Sequence, residues 1–309
     1  MTKQQLRIGT RASKLALTQA GHMRDRIALA VPGGDVALTH ITTSGDRIQD
    51  RLLTEIGGKG LFTQEIEEAL LSGRIDCAVH SLKDMPAESP PGLVIAAIPE
   101  REDPRDAILS PLYDSIDALP PGARLGTASL RRQTQARHRR PDIVIVPLRG
   151  NVDTRIAKLE AGEADAILLA MSGLNRLGLG HLPRGFIDPV DCPPAPGQGA
   201  LAIQTREADA DAPWLAALKH RPTTLAVAAE RGALAALEGS CRTAIGAYAR
   251  LDGRKLLLIV EALTPDGARR FRREEEVDVG GDDGEIAARD LGLRLGETVR
   301  DEGGEALLG

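Results

Sequence analysis

The chain has 309 residues and a net charge of −5, and its length suits about two or three domains of about 100–200 residues each. It is 42% hydrophobic but only 2% aromatic, so Leu, Ala, Val and Ile must build the core. There is no signal-peptide stretch at the N-terminus, no run near the roughly 18 apolar residues of a membrane span, and an odd number of cysteines that does not indicate a disulfide framework. We therefore expect a cytoplasmic protein with reduced thiols and no membrane contact.

Short apolar runs alternate with helical patterns over the first two thirds of the chain. The predicted strands are, in order, LRIG, VALTHI, CAVHSL, LVIAAI, IVIVPL, AILLA and ALAIQ. The predicted helices between them are SKLALTQAGHMRDRIALA, LFTQEIEEALLS, SLRRQTQARHRR and NVDTRIAKLEAG. Near-continuous apolar strands separated by helices indicate an α/β fold with both faces of each sheet covered. Pro-rich stretches are candidate boundaries, and they lie at 86–91, 99–104, 120–121 and 193–196.

The last third has a different pattern. A long helical segment, TTLAVAAERGALAALEG, is followed by strands with Asp-Gly turns at 252–253 and 266–267, which favour hairpins. A closing helix is predicted over about 285–300. This part of the chain therefore predicts a small α+β domain.

Positive charge is concentrated in the middle of an otherwise acidic chain. From Arg124 to Arg176 there are nine Arg and one Lys against five acidic residues, a local net charge of +5. Such an island predicts a site for a specific anion, because the rest of the protein would repel a bulk polyanion such as DNA. For Arg137, Arg139 and Arg140, a solvated helix end explains the sequence equally well.

Two similar segments, IGTRAS at 8–13 and LGTAS at 125–129, each end a predicted strand and open a helix with serine. Serine at an N-cap satisfies free backbone N–H groups, and a helix N-terminus attracts anions. Arg11 stands beside one serine, and Arg131 and Arg132 stand beside the other. Capping alone explains Ser13 and Ser129 about as well, and the adjacent arginines favour a carboxylate or phosphate site.

Most motifs of known chemistry are absent from the sequence. The six histidines are scattered, without HExxH or CxxC, so no metal site is predicted. There is no G-x-S-x-G or P-loop, and GQGALA at 197–202 does not follow a strand as a dinucleotide fingerprint would. Lys83 and Asp84 follow a predicted strand, where α/β folds place ligands, although composition alone favours an exposed ion pair. Cys241 lies in a small, polar segment beside Arg242, which keeps a thiol accessible and favours thiolate.

Several long blocks of the sequence resemble one family. GGKGLFTQEIE, VHSLKDMP, EREDPRDA, GTASLRRQ, LRGNVDTR and PPAPGQGALAI, followed by LEGSCR, occur in the order found in porphobilinogen deaminase (hydroxymethylbilane synthase). The resemblance covers about residues 6–250, and the C-terminal strands fit it more loosely. It implies two α/β domains similar to type II periplasmic binding proteins and a small C-terminal α+β domain. We map them to 1–98 with 199–216 (the catalytic domain), to 104–193 (rich in arginine) and to 221–309 (carrying the cofactor loop).

The resemblance also implies a role for Cys241. In the family the corresponding cysteine holds a dipyrromethane cofactor through a thioether, and the enzyme makes that cofactor from its own substrate. This sequence departs from the common pattern in having Ala244 where a proline is usual and Ser240 where glycine is frequent. Cys77 lies in a predicted strand and is expected to be in the core, and Cys192 has no assigned role.

The implied reaction joins four porphobilinogen molecules head to tail with release of ammonia, giving hydroxymethylbilane for haem and porphyrin biosynthesis. Each pyrrole carries two carboxylates, which arginine forks bind well. The matching catalytic residue is Asp84, which would stabilise positive charge on the substrate and transfer protons. The cofactor-binding residues implied, besides Cys241, are Lys83, Asp84, Thr127, Ser129, Arg131 and Arg132. The substrate-binding residues implied are Arg11, Ser13, Gln19, Lys59, Phe62, Arg149, Arg155, Arg176 and Gln198, with Lys59 on a mobile glycine-rich segment.

Two alternatives to this interpretation are an anion-binding module and a nucleic-acid binder. A pure anion-binding module of the periplasmic type would need neither Cys241 nor the third domain, and it would carry an export signal. A nucleic-acid binder would use the basic run 131–140 but should show stacking aromatic residues. We expect a monomer whose partner is the small molecule porphobilinogen, with no nucleic acid.

Overall fold

The computed structural model describes residues 5–31, 33–44, 63–237 and 243–307. In this part of the chain the strands are β1 (Leu6–Thr10), β2 (Val36–His40), β3 (Cys77–Ser81), β4 (Leu93–Ala97), β5 (Asp106–Leu109), β6 (Arg124–Gly126), β7 (Val144–Val146), β8 (Ala166–Ala170), β9 (Gly185–Ile187), β10 (Leu201–Arg206), β11 (Ala244–Asp252), β12 (Lys255–Leu263) and β13 (Arg270–Asp278). The α-helices are α1 (Lys14–Ala30), α2 (Gln64–Leu71), α3 (Leu130–Arg139), α4 (Val152–Glu160), α5 (Met171–Arg176), α6 (Arg221–Leu237) and α7 (Gly284–Gly303). All the strands and helices predicted from the sequence are confirmed within these residues.

The first sheet has the strand order β2-β1-β3-β10-β4. Strands β1, β2 and β3 are parallel, and β10 runs antiparallel to both of its neighbours. Successive side chains of a strand point to opposite faces, so Cys77 and Val79 pack in the cluster that includes α1, while Ala78 packs in the cluster that includes α2. Both faces of this sheet are therefore covered, as the continuous apolar strands predicted.

The second sheet repeats this arrangement with the order β7-β6-β8-β5-β9. Strands β6, β7 and β8 are parallel, and β5 runs antiparallel to β8 and β9. Helix α3 packs on one face through Ala136, and helices α4 and α5 pack on the other. The sequence did not predict β5 or β9, because runs of three or four residues are too short to show a period.

The third sheet consists of β11, β12 and β13 in antiparallel order. The first hairpin closes at Asp252↔Lys255 with Gly253 at a φ of 58°, and the second loop includes Gly267 at a φ of 78°. These positive φ values are why glycine follows aspartate in both turns. Helices α6 and α7 contribute to one apolar cluster with this sheet, which confirms the predicted α+β class.

Helices α6 and α7 approach each other closely through glycine. A Cβ on Gly292 would lie 2.0 Å from the carbonyl oxygen of Ala229, and a Cβ on Gly232 would lie 2.4 Å from that of Arg289. Neither atom could be accommodated without moving backbone. The close packing of α6 against α7 therefore requires glycine at both positions.

A buried carboxylate joins α6 to two other segments. Glu230 is fully buried, and its two oxygens accept hydrogen bonds from the backbone N–H of Gly197 at 2.7 Å and of Ala249 at 2.9 Å. Gly197 lies before β10, and Ala249 lies in β11. One side chain thus ties a helix, a strand and an irregular segment together.

The described chain divides into two compact units. The first comprises residues 1–102 and 200–224, and the second comprises 103–199 and 225–309. The first and second sheets lie in different units, and the third sheet belongs to the second unit. The finer division into three domains stays a prediction. None of the helices in the described residues is sufficiently long and apolar to span a membrane.

Candidate active site

The carboxyl end of β3 leads directly into a short 3-10 helix, Leu82–Asp84. Leu82 and Met85 are only 1% and 4% exposed, so apolar packing fixes the turn on both sides of the polar pair between them. Asp84 is exposed, and within the described chain its carboxylate forms no hydrogen bond or ion pair. The alternative of an ion pair between Lys83 and Asp84 is thus not what the structure shows.

The segment after β1 lies at the same edge of the first sheet, since β1 and β3 are parallel neighbours. Arg11 is half-buried there, and Ser13 caps α1 by accepting a hydrogen bond from the N–H of Ala16 at 3.3 Å. Gln19, one turn further along α1, is 4% exposed and exchanges hydrogen bonds with the hydroxyl of Ser81. Helix α1 therefore supports the end of β3, which leads into the turn that carries Asp84.

The second unit has the equivalent helix start after β6. Ser129 caps α3 by accepting from the N–H of Arg132 at 3.5 Å, as the sequence similarity to Ser13 predicted. Thr127 is 2% exposed, and its hydroxyl accepts from the N–H of Ser129 at 3.2 Å. The loop between β6 and α3 is therefore held by its own short side chains.

Two arginines at the start of α3 share one buried carboxylate. Arg131 donates to Oδ2 of Asp106 at 2.9 Å, and Arg132 donates to Oδ1 at 2.7 Å. All three side chains are at most 7% exposed. Arg131 also donates to Gln135 Oε1, and Arg132 donates to the carbonyl of Leu168. This Arg–Asp cluster fixes both guanidinium groups at the edge where β6 and β8 end.

The Arg–Asp cluster carries excess positive charge. The two guanidinium groups lower the pKa of Asp106 well below its usual range, against the effect of burial, so the carboxylate is ionised. Two cations then face one anion. The Nε atoms of Arg131 and Arg132 are buried and have no hydrogen-bond partner in the described chain. A further carboxylate would supply both the missing charge and the missing acceptors.

Three more predicted arginines follow β7 and β8 in the second unit, and all are half-buried. Arg155 donates to the carbonyl of Gly150 at 2.8 Å, and Arg176 donates to that of Gly199 at 2.6 Å. Arg149 lies just after β7. Because β6, β7 and β8 are parallel, their ends bring all the predicted arginines of this unit to one edge of the sheet.

Gln198 has a different environment from the one its predicted role suggested. Its side chain is fully buried, and its amide nitrogen donates to the carbonyl of Pro104 at 2.7 Å and to Asp106 at 2.8 Å. The sequence assigned no role to Asp106. An acid opening an apolar strand in the block EREDPRDA was the signal that could have identified it, because a buried acid needs a paired cation.

Part of the positive island is neutralised by acids in the folded chain. Arg124 pairs with Asp165 at 2.8 Å, and Arg139 pairs with Asp117 at 2.5 Å. Arg140 pairs with Asp142, whose pKa the hydrogen bond from Arg140 lowers to about 2. For Arg139 and Arg140 the helix-end interpretation is therefore the better one.

Several predicted residues lie outside the described residues, namely Lys59, Phe62, Ser240 and Cys241. Of the other thiols, Cys77 is fully buried in β3, and burial raises its pKa, which confirms that it belongs to the core. Burial raises the pKa of Cys192 to about 11. Neither is therefore an activated thiolate.

Two family models match this chain. One, described as "Porphobilinogen deaminase, dipyromethane cofactor binding domain", matches residues 6–213, and the other, "Porphobilinogen deaminase, C-terminal domain", matches residues 224–301. The chain belongs to the porphobilinogen deaminase family. The predicted family, its enzyme class and its dipyrromethane cofactor are confirmed.

Similar sequences carry the same name. The porphobilinogen deaminase of Caulobacter sp. (strain K31) is 67% identical over 100% of this chain and 99% of its own length. That of Phenylobacterium zucineum is 63% identical over 99% of both chains, and that of Paraburkholderia phymatum is 48% identical over 94% of this chain and 88% of its own.

Solved structures show a more distant likeness to this chain. The methionine-binding protein MetQ is 15% identical and has a TM-score of 0.44, with 69% of this chain and 88% of MetQ covered. A periplasmic substrate-binding protein of an ABC transporter from Coxiella burnetii is 16% identical and has a TM-score of 0.43, with 69% and 89% covered.

Proposed function

We propose that this chain works as its family name states, joining four porphobilinogen molecules head to tail, with release of ammonia, into hydroxymethylbilane. The proposal assigns the chemistry to the turn after β3 and the binding of carboxylates to the arginines of both units. The observation that carries it is Asp84, an exposed carboxylate without a partner in the described chain, on a turn fixed by buried side chains.

The first chemical step needs a fixed negative charge. The bond between the substrate's methylene carbon and its amino nitrogen breaks, both electrons leave with the nitrogen, and the pyrrole nitrogen shares its lone pair with the methylene carbon. The ring system then carries positive charge, which a preorganised carboxylate stabilises. Asp84 supplies that charge, and the same oxygens can hold the proton that the departing amine takes up.

The residues of the second unit fit a group that is rich in carboxylates. Arg131 and Arg132 have one shared anion and unpaired Nε atoms in the described chain, and Thr127 and Ser129 border the same helix start. We infer that these residues, with Lys83 and Asp84, hold the dipyrromethane cofactor attached to Cys241. When bound, this group supplies the primer to which substrate units are added.

The other predicted residues divide by their contacts. Arg11, Ser13, Arg149, Arg155 and Arg176 are half-buried at the edges where parallel strands end, which suits binding of substrate carboxylates. Gln19 and Gln198 are buried and hydrogen-bonded to Ser81 and Asp106, so we assign them positioning of Asp84 and of the Arg–Asp cluster. Lys59 and Phe62 keep the substrate-binding roles that the motif implies.

The organisation of the protein completes the proposal. We infer three domains, at 1–98 with 199–216, at 104–193 and at 221–309, and a cytoplasmic monomer that binds no nucleic acid.

Single-turnover ammonia release tests the role of Asp84. Asp84→Asn should fold and bind substrate but lose about a hundred- to thousand-fold in rate, because charge stabilisation is removed while shape is kept. Asp84→Glu should lose less, since the charge survives. Asp25→Asn is the matched control, because Asp25 is an exposed carboxylate of the same unit that pairs with its neighbour Arg24. Near wild-type release by Asp84→Asn would contradict the mechanism.

Intact mass tests the cofactor attachment separately. The purified protein should be heavier than its sequence by one dipyrromethane, and Cys241→Ser should abolish the adduct. Peptide mapping that placed the adduct on Cys77 or Cys192 would overturn the assignment.

A further inference from the structure

A cavity of about 410 Å³ lies in the second unit, next to the Arg–Asp cluster. Its lining includes Gln135 of α3, Cys192, Glu261 of β12, and Arg270 and Arg272 of β13. The two neighbours of Glu261 along β12 pack in the core with α6 and α7, so Glu261 points from the opposite face of the third sheet. We name this space the Glu261 cavity.

Only one of the two carboxylate oxygens of Glu261 accepts a hydrogen bond in the described chain. Its side chain is 1% exposed, and Oε1 accepts a hydrogen bond from the amide nitrogen of Gln135 at 2.9 Å. The other oxygen, Oε2, is buried without a hydrogen-bond partner in the described chain. Burial raises the pKa of Glu261, against the effect of Gln135 and the nearby arginines. A buried carboxylate oxygen without a donor is unfavourable, so a group that donates to it would bind with a gain in free energy.

The guanidinium group of Arg270 has donors without acceptors in the described residues. Its Nη1 lies 3.7 Å from Oε2 of Glu261, which is too far for a hydrogen bond, and the side chain donates no hydrogen bond within the residues that the structure describes. Arg272 adds a second positive charge, with two of its nitrogens already donating to Val190 and Glu274. The cavity therefore places open guanidinium donors beside an open carboxylate acceptor.

The side chain of Gln135 fixes which atom of Glu261 is open. Its Oε1 accepts from Arg131, so its amide nitrogen must face the other way, where it donates to Glu261 and to the carbonyl of Pro193. Gln135 cannot turn to satisfy Oε2 without losing the hydrogen bond from Arg131. Oε2 of Glu261 therefore lacks a donor because the Arg–Asp cluster fixes the orientation of Gln135.

We propose that the Glu261 cavity is a second ligand site, which takes a small carboxylic acid bearing an O–H or N–H donor close to its carboxylate. The carboxylate accepts from Arg270, and the donor group donates to Oε2 of Glu261. The volume is within the range of sites for small organic molecules. A dicarboxylate without a donor leaves Oε2 unpaired. Hydroxy acids and porphobilinogen, which has an aminomethyl group and two carboxylates, share the required chemistry.

Two probes that differ by a single hydroxyl test the recognition. We expect titration calorimetry of the full-length holoenzyme to show L-malate binding about ten- to hundred-fold more tightly than succinate, because only malate can donate to Oε2. Equal affinity for the two acids would overturn the assignment of Glu261. Absence of saturable malate binding below about 10 mM would overturn the site.

Substitutions on one strand supply a matched pair. Arg270→Gln should weaken malate binding at least about tenfold. Arg273→Gln makes the same change on the opposite face of β13, where Arg273 pairs with Glu302, and should leave malate binding unchanged. Both variants should keep the wild-type melting temperature within a few degrees and the wild-type turnover. Equal malate affinity in Arg270→Gln and the wild type would also overturn the site.

Competition identifies the source of the ligand. In Asp84→Asn holoenzyme, which should consume substrate about a hundred- to thousand-fold more slowly than the wild type, porphobilinogen that displaces malate identifies the substrate itself as the ligand. This part alone rests on the proposed function. Malate binding that porphobilinogen does not displace identifies a simple hydroxy acid instead, and the malate measurements stand whichever function the enzyme has.

Discussion

Replacing Asp106 with asparagine removes the only anion between two buried guanidinium groups in the described Arg–Asp cluster. The side chains of Asp106, Arg131 and Arg132 are 3%, 6% and 7% exposed, so water cannot replace the lost charge. Loss of one partner from a buried ion pair costs about 3–5 kcal/mol. We therefore expect Asp106→Asn to lower the free energy of unfolding at pH 7 by about that amount, although the residue keeps its size.

Urea unfolding followed by circular dichroism measures this loss, and an exposed pair supplies the control. Asp117→Asn breaks the pair with Arg139, whose side chains are 53% and 42% exposed, and should cost about 0–1 kcal/mol. Because the folded pKa of Asp106 is lowered, its contribution is fully present above the ordinary value of 3.8 and is lost as the pH falls below it. If Asp106→Asn costs no more than Asp117→Asn at pH 7, the buried ion pair does not stabilise the fold as argued.

Three further predictions concern other buried features. Burial lowers the pKa of His80 to about 4. The free energy of unfolding should therefore fall by about 3 kcal/mol as the pH drops from about 6.5 to about 4. The melting temperature of His80→Gln should not show this decline. Gly292→Ala should lower the free energy of unfolding by denaturant by at least about 1–3 kcal/mol, because its Cβ would meet backbone. Gly21→Ala in α1 is the control: its Cβ would meet nothing within 4 Å, and the free energy of unfolding should rise by about 0.5–1 kcal/mol. Glu230→Gln should cost about 1.5–3 kcal/mol in the same assay, since an amide offers one acceptor to two backbone donors, and an unchanged midpoint would contradict that role.

Features set by local sequence were predictable. Ser13 and Ser129 were identified as helix caps because a cap depends on residues three positions away. The strands of the first sheet were identified because burial on both faces requires a continuous apolar run. The family and its cofactor were identifiable for a different reason, since long blocks of sequence occur in a fixed order.

Features set by distant residues were not predictable. The charge of the positive island was counted over 124–176, but Asp106 and Asp117, which form ion pairs with three of its arginines, lie before that window. Gln198 matched a motif, yet only the folded chain shows that its amide contacts Asp106. The close approach at Gly292 likewise requires a second helix, and no local pattern distinguishes this glycine from one in a loop.

The place of β10 in the first sheet has a consequence for how the protein is made. β10 lies between β3 and β4, but the ribosome synthesises it roughly 100 residues after β4, which takes about 5–20 s at about 5–20 residues per second. Throughout that interval the nascent chain holds two apolar strands whose shared neighbour does not yet exist. Their unpaired edges are templates for pairing with other chains. A truncation that stops before residue 201 leaves these edges permanently unpaired, so we expect it to aggregate.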